Sequence, residues 1–424
     1  MGEEEAHTNP IRNILSDFSF IKGNFLIILM GWLIVDFTRE MANTYYPLYV
    51  VELGGTATTI GIIAAAATIT DAIVKIPGGH LADKYRRKRL ILVMTFLASG
   101  AHLFYALAPS WHFLVLAAVL TSFCWIYTPA FNSIVIEALP KEKRGTGYSL
   151  VNLITRVSTT PSPLIAGFLF TRYGVVGTSR IAYGLVSVAF LIAAILRFRL
   201  EEETDKPEVT AKAVFSSLSS AKEFSEGINV WKEVPKSLTA LFSMELLYLL
   251  PNIMFNTILT LYLVNDLGIN ELQLSRLGAF IGVTMIIFAI PVGKIIDKYG
   301  RIKPILICFL LILVTIPVLL LDVTFTQILL VTPIIGLVNV VYYSATQALW
   351  ADLIPEDKRG RILGSQNFFG LIVVAIGSVA GGLLYDQVSH QLPILIYWFI
   401  NAPCFIITWR YIKEPDKSEE VMEE

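Results

Sequence analysis

Charge is what this sequence has least of. Only 16% of its 424 residues are Asp, Glu, Lys or Arg, while 55% are hydrophobic. A water-soluble domain keeps roughly a quarter of its residues charged to cover its surface. The composition therefore excludes a chain that faces water throughout. The net charge of −1 gives no general attraction to nucleic acid or another polyanion, so no such partner is expected. Cysteine is scarce as well. Cys124, Cys308 and Cys404 lie far apart in apolar stretches, which excludes a disulfide framework and a metal motif. The histidines His7, His80, His102, His112 and His390 are scattered, and no nucleotide loop or Ser/His/Asp arrangement accompanies them. No enzyme chemistry, metal or cofactor is expected on that account. No cleavable leader is expected either: Glu3, Glu4 and Glu5 open a stretch that stays polar until about Phe20. The first apolar run is expected to serve as its own insertion signal.

What the chain does have is long apolar runs. They fall at 24–50, 57–77, 89–108, 112–137, 147–173 and 177–199, then at 237–264, 271–292, 303–321, 326–350, 362–385 and 391–412. Each holds the ~20 residues that a bilayer's hydrocarbon thickness requires. A spanning backbone must satisfy its own hydrogen bonds, so the runs read as helices, spans 1 to 12 of an all-α integral membrane protein. Orientation follows from the bases. Lys84, Arg86, Arg87, Lys88 and Arg89, then Lys141, Lys143 and Arg144, mark one face. Lys294, Lys298, Arg301 and Lys303, then Lys358, Arg359 and Arg361, mark it again. The connections at 51–56, 109–111, 265–270, 322–325 and 386–390 hold no Lys or Arg; only 172–180, with Arg172 and Arg180, breaks the pattern. This predicts a multi-pass cell-membrane protein, a monomer in the lipid bilayer, with both termini cytoplasmic. The polar segment 201–236 divides it into a first bundle over 1–200 and a second over 237–424. From Ala211 to Trp231 the divider turns amphipathic, with Val214, Phe215, Leu218, Ala221 and Phe224 near helical spacing, which reads as an interfacial linker helix.

The chain also repeats itself. Gly79-x-x-x-Asp83-Lys84-Tyr85-x-Arg87 recurs as Gly293-x-x-x-Asp297-Lys298-Tyr299-x-Arg301. Ala130 to Glu137, Pro140 and Lys143-Arg144-Gly145 recur as Ala345 to Asp352, Pro355 and Lys358-Arg359-Gly360. Two motifs in one order at an offset of about 215 residues describe two six-helix bundles of the same topology. Parallel repeats of this kind place a substrate site near the midplane between them. The Gly79–Lys88 loop and its second copy resemble the signature loop of the major facilitator superfamily, as does the acid-x-x-Pro-x-x-x-Arg-Gly run from Glu137 to Gly145. Two positions depart from the family pattern: Arg86 stands where a glycine is usual, and Ile302 replaces a base.

The resemblance implies a cytoplasmic gate. Asp83 would cap the N-terminus of span 11 and Arg87 would pair with Glu137; by the repeat, Asp297 would cap span 5 and Arg301 would pair with Asp352. Gly79 and Gly293 would let helix ends approach closely. Such contacts would form while the cytoplasmic side is closed. Bare positive-inside charge, with no gate, is the plainer reading.

Within the membrane the charges gather in the first half. Asp36, Arg39, Glu40 and Asn43 of span 1 fall within about a 100° sector of one helix. Each isolated charge costs roughly 2.5–3.5 kcal/mol at such depth. Either Arg39 neutralises two acids in a structural cluster, or the group faces a cavity where one acid exchanges a proton that Arg39 tunes. Facilitator sequences with an Asp-x-x-x-Glu-Met run and a following Pro are similar here, at Asp36, Glu40, Met41 and Pro47. Asp71 and Lys75 form an i,i+4 pair in span 2, and Arg156 in span 5 has no partner on its own helix. In the second half only Glu245, Asn252, Asn256 and Asn339 stand out, with Pro251 expected to bend span 7. Asp36, Arg39, Glu40, Asp71 and Arg156 are thus candidates for proton coupling, and Asn43, Asn252 and Asn256 for substrate contact. In span 5, Ser162-Pro163-Leu164-Ile165-Ala166-Gly167 is similar to the glycine–proline motif of drug–proton antiporters, with its glycines partly replaced. Their span 4 arginine is missing. The chain is expected to be a secondary active transporter using alternating access, with protons as coupling ion and efflux of small amphipathic compounds. Uptake of a small organic anion is the alternative, and a non-transporting membrane receptor the reading from a different class.

Overall fold

The computed structural model describes residues 21–139, 151, 154–202, 206–210, 213–214, 231, 234–321, 323–355 and 358–414. The expected linker helix at 211–231, the bases at 141–144 and the start of span 5 lie almost wholly outside these residues. Among the described residues, ten helices are long and apolar enough to cross a membrane. Two physical reasons bring the count to twelve. Ile154–Arg197 runs for 44 residues, too long for one crossing, and breaks at Gly174, whose φ of 65° no helix interior adopts. It comprises spans 5 and 6. Span 1, Gly23–Asn43, packs Asp36, Arg39 and Glu40 into 21 residues, so bare hydropathy passes it over.

Local chemistry starts and stops these helices in matched ways in the two halves. Span 2 (Ala57–Lys84) opens on a capping box, Thr56 with Thr59. Span 8 (Glu271–Tyr299) opens on Asn270 with Gln273 at the corresponding place. On the basic face, span 3 (Arg87–Ala106) begins under the Glu202 carboxylate, which accepts the Arg87 and Lys88 backbone N–H groups at 3.0 and 2.9 Å. Span 9 (Ile302–Thr315) begins under Glu414, which accepts those of Arg301 and Ile302 at 2.6 and 2.7 Å. Both acids follow the last span of their half, so each bundle is closed by its own exit strand. Asn24 and Ser237, at the starts of spans 1 and 7, take the N–H groups of Glu201 and Lys413 on the same strands.

The departure at Arg86 also finds its reason in a comparison with the second copy of the loop. Gly300 has φ 86°, and a Cβ there would lie 2.6 Å from the Glu414 carboxylate, so only glycine fits. Its counterpart Arg86 has φ −60°, an ordinary conformation for any side chain, and its Nε donates to the Lys206 carbonyl at 3.0 Å.

The halves meet chiefly through span 2 against span 11 (Arg359–Gln387) and span 5 against span 8. Small residues make this possible. A Cβ on Gly61 would lie 2.1 Å from the Ser378 carbonyl oxygen, and one on Gly382 would lie 2.3 Å from that of Ala57. The span 5 motif packs likewise, with Gly167 on Ser275 and Pro163 on Gly278. Gly377 and Gly381 of span 11 lie against the backbone of span 7 (Lys236–Leu261). Inside the first half the buried Arg197 of span 6 is held by Thr95 Oγ1 at 2.5 Å and stacks on Phe131.

Candidate functional site

Span 1 is a broken helix. Its first piece ends at Asn43, and a second, Tyr46–Glu52, restarts on Pro47, whose fixed φ suits a first turn. The break lies directly above the charged sector. Asp36, Arg39, Glu40 and Asn43 line one cavity of about 360 Å³, closed opposite by Thr155, Arg156 and Thr159 of span 5. Five of the candidate residues thus meet in one place. Thr155 and Thr159 were not among the candidates, although their i,i+4 spacing around Arg156 marks a polar face.

Arg39 does not sit as a neutralising bridge between two acids. Among the described residues no carboxylate lies within 4.0 Å of its guanidinium, which instead stacks over the Trp125 ring at 5.1 Å. Trp125 occupies a tight 3₁₀ turn, Trp125–Tyr127, inserted where Thr128-Pro129 restarts span 4. Arg156 donates to the Met285 sulfur of span 8 at 3.7 Å, across to the second half. Two acids and two bases therefore share a cavity with no close ion pair among the described residues.

Asp71 lies elsewhere. It pairs with Lys75 at 2.8 Å in a second cavity of about 370 Å³, lined also by Thr68, Ser122, Trp125, Thr128 and Leu371. Trp125 links the two spaces, since it lines the second and stacks under Arg39 of the first. Asn252 and Asn256 are on span 7, away from the first cavity. Asn256 donates to the Asn252 carbonyl at 2.7 Å, and Asn252 donates to the Tyr248 hydroxyl at 3.5 Å.

The bundles close on the face opposite the basic loops. Asp386, at the end of span 11, accepts the Thr58 N–H at 2.8 Å and its hydroxyl at 2.6 Å in the first turn of span 2. Tyr45, in the break of span 1, is 1% exposed; its hydroxyl donates to the Glu271 carbonyl at 2.8 Å and lies 2.5 Å from Ser275 Oγ. The span 1 break thus joins the cavity to a contact between halves.

On the basic face Arg87 Nη1 lies 2.6 Å from Glu137 Oε1, and Arg301 Nη2 lies 2.9 Å from Asp352 Oδ2. Each pair is internal to one half, so both stand while the opposite face is shut. Asp83 and Asp297 are exposed and make no hydrogen bond or ion pair among the described residues. Both expected ion pairs are thus formed in this structure, while neither aspartate has a partner among the described residues. A Cβ on Gly79 or Gly293 would meet nothing within 4 Å, whereas one on Gly78 would lie 2.3 Å from the Ile126 carbonyl oxygen. The close approach expected at Gly79 belongs, in this conformation, to its neighbour.

Comparison with known proteins agrees with this geometry. The profile of the Major Facilitator Superfamily matches residues 28–251 and again 241–424. An MFS-type transporter of Methanocaldococcus jannaschii, MJ1560, is 26% identical over 351 residues, covering 80% of this chain and 85% of its own. The multidrug resistance protein MdtG of Enterobacter lignolyticus is 26% identical over 396 residues, covering 90% and 89%. Among solved structures, a bacterial homologue of the human lysosomal transporter Spinster, described as inward-facing and occupied, superposes with a TM-score of 0.67 at 13% identity. It covers 92% of this chain and 97% of its own. The nucleoside transporter NupG superposes at 0.65 and 12% identity, covering 90% and 98%.

Proposed function

Because the chain belongs to the major facilitator superfamily, a family of membrane transporters for small molecules, we propose that it couples inward proton movement to export of small amphipathic organic compounds by alternating access. The observation that carries the coupling is the cavity at the span 1 break. Asp36 and Glu40, one helical turn apart, share about 360 Å³ with Arg39 and Arg156 and no close ion pair among the described residues. A carboxylate there can exchange its charge with a proton, and the two guanidiniums set how readily it does so. The multidrug resistance relatives support an amphipathic cargo. We place both termini and the basic loops on the cytoplasmic side of a cell membrane, as a monomer divided at 201–236. On that placement the conformation is open inward. Asp83 and Asp297 become the residues that engage spans 11 and 5 when the bundles rock to the other side, while the Arg87–Glu137 and Arg301–Asp352 pairs keep each half rigid.

A second reading draws on Arg156, which lines the cavity and whose guanidinium donates to a thioether and forms no ion pair among the described residues. An organic anion would satisfy it, and the cycle would then run as uptake. Reconstituted vesicles carrying a pH-sensitive dye decide both questions. An imposed pH gradient should drive cargo movement and cargo should move protons in return. Glu40→Gln and Asp36→Asn should abolish the proton signal while cargo still exchanges. Intact proton-linked flux in both variants would sink the coupling assignment, and uptake with the gradient would reverse the direction.

A further inference from the structure

Span 7 carries an acid for which the coupling cavity has no use. Glu245, Asn252 and Asn256 fall within about 40° of one another on a single helix face. The residues buried inside the half, among them Leu241, Met244, Tyr248 and Phe255, occupy the neighbouring face. The Glu245 carboxylate accepts the Gln366 amide of span 11 at 3.0 Å. The indole of Trp350, 2% exposed, addresses the same carboxylate outside strict hydrogen-bond geometry, so its N–H has no full partner among the described residues. Both neighbours are neutral donors. The bases of spans 7, 10 and 11 are confined to the basic-face ends, at Lys236, Arg359 and Arg361; residues 237–275, 323–357 and 362–389 contain no lysine or arginine. Among the described residues no base forms an ion pair with the Glu245 carboxylate, and an unpaired carboxylate within a span is costly. Beside it stand ring faces: Tyr248 and Tyr342 lie 4.7 Å apart, with Trp350 closing the cytoplasmic end of span 10. Aromatic faces and a carboxylate attract the same kind of group, an organic cation with an apolar body.

We propose that Glu245, held by Gln366 and flanked by Tyr248, Tyr342 and Trp350, is the subsite that takes the cationic centre of the transported molecule. The cargo class is then lipophilic organic cations. This rests on the transporter reading above, with proton exchange assigned to the first half and charge recognition to the second. Purified full-length protein in detergent is tested by displaceable equilibrium binding of tetraphenylphosphonium and of tetraphenylborate, ions of one shape and opposite charge. Wild type should bind the phosphonium and discriminate against the borate. Glu245→Gln should lose about tenfold or more in phosphonium affinity and nothing for the borate, and Glu245→Asp should recover part of the loss. A melting curve with each variant establishes that it is folded. Three outcomes overturn the proposal: no displaceable phosphonium binding to wild type, a preference for the borate, or wild-type phosphonium affinity in a folded Glu245→Gln. The first two need no variant. Because binding is read without a gradient, failure of proton coupling leaves this result standing, and the reverse also holds.

Discussion

The cross-half cap at Asp386 yields the sharpest test of how the bundles move. Its carboxylate accepts two hydrogen bonds from Thr58, at 2.8 and 2.6 Å, in the first turn of span 2. A hydrogen bond to a charged group contributes about 1.5–3 kcal/mol, and a carboxylate at a helix N-terminus about 0.3–1 kcal/mol. Asp386 is exposed, so solvent and salt screen much of this, and an asparagine amide in its place would keep one acceptor oxygen. The net loss in Asp386→Asn is about 1.4 kcal/mol, which moves the ratio of the two conformations about tenfold. The readout is labelling of a cysteine placed at Asn43, inside the cavity, by an impermeant maleimide from either side of oriented vesicles. The native Cys124, Cys308 and Cys404 are buried and give little background. Asp386→Asn should raise labelling from the far face about tenfold and lower it from the basic face. On the proposed gating Asp83→Asn should do the opposite or nothing further in this state, since Asp83 has no hydrogen bond or ion pair to lose among the described residues. Unchanged labelling from both faces in both variants, or a shift in the same direction, would refute the two-gate reasoning.

Other consequences can be checked alongside it. Gly61→Ala should disfavour the closed far face, because its Cβ would sit 2.1 Å from the Ser378 oxygen, backbone that cannot swing away; the same cysteine assay reports it, and an unchanged ratio would count against the packing. Glu202→Gln and Glu414→Gln should each lower the melting temperature by a few degrees, about 1 kcal/mol for a helix N-terminus losing its charged cap. Loss in one variant alone would show that the two exit strands are not equivalent.

Much of this architecture is legible in the chain, and the reasons differ by feature. The spans show because a bilayer demands length and apolarity together. The repeat shows because both copies of the basic loop do the same work. Asp36, Arg39, Glu40 and Asn43 show as one site because the helix period alone puts them on one face, and charge at that depth is costly. Features that depend on a second helix stay hidden. Asp71 is an intramembrane acid like those of span 1, but it pairs with Lys75 and lines the other cavity. Gly78 and Gly79 are indistinguishable in sequence, and only the position of span 4 decides which of them is pressed on Ile126. Glu202 and Glu414 look like ordinary polar flank until the strand turns back and places each carboxylate over a helix start. The boundary between spans 5 and 6 shows as well: the apolar runs ending at 173 and beginning at 177 bracket the break at Gly174, although the helical segments adjoin it on both sides.

The two halves are alike where they move and unlike where they bind, and the physics of the cycle requires both. Rocking between two states about a central site needs each bundle to stay rigid, and the rigid parts recur: capped spans 3 and 9, boxed spans 2 and 8, ion pairs Arg87–Glu137 and Arg301–Asp352. A small asymmetric molecule gains nothing from a symmetric lining. Accordingly the corresponding faces of spans 1 and 7 have diverged, one to acids and arginines at a helix break, the other to amides, tyrosines and a single acid. If proton exchange and cargo recognition were carried by the same carboxylates, cargo and proton would compete directly and each would exclude the other by charge alone. Separating them onto two bundles makes the coupling pass through the conformation instead. On the proposed function, a proton in the first half and a cargo in the second would each bias the same equilibrium, set against the Asp386 cap and the Tyr45 contact between the halves.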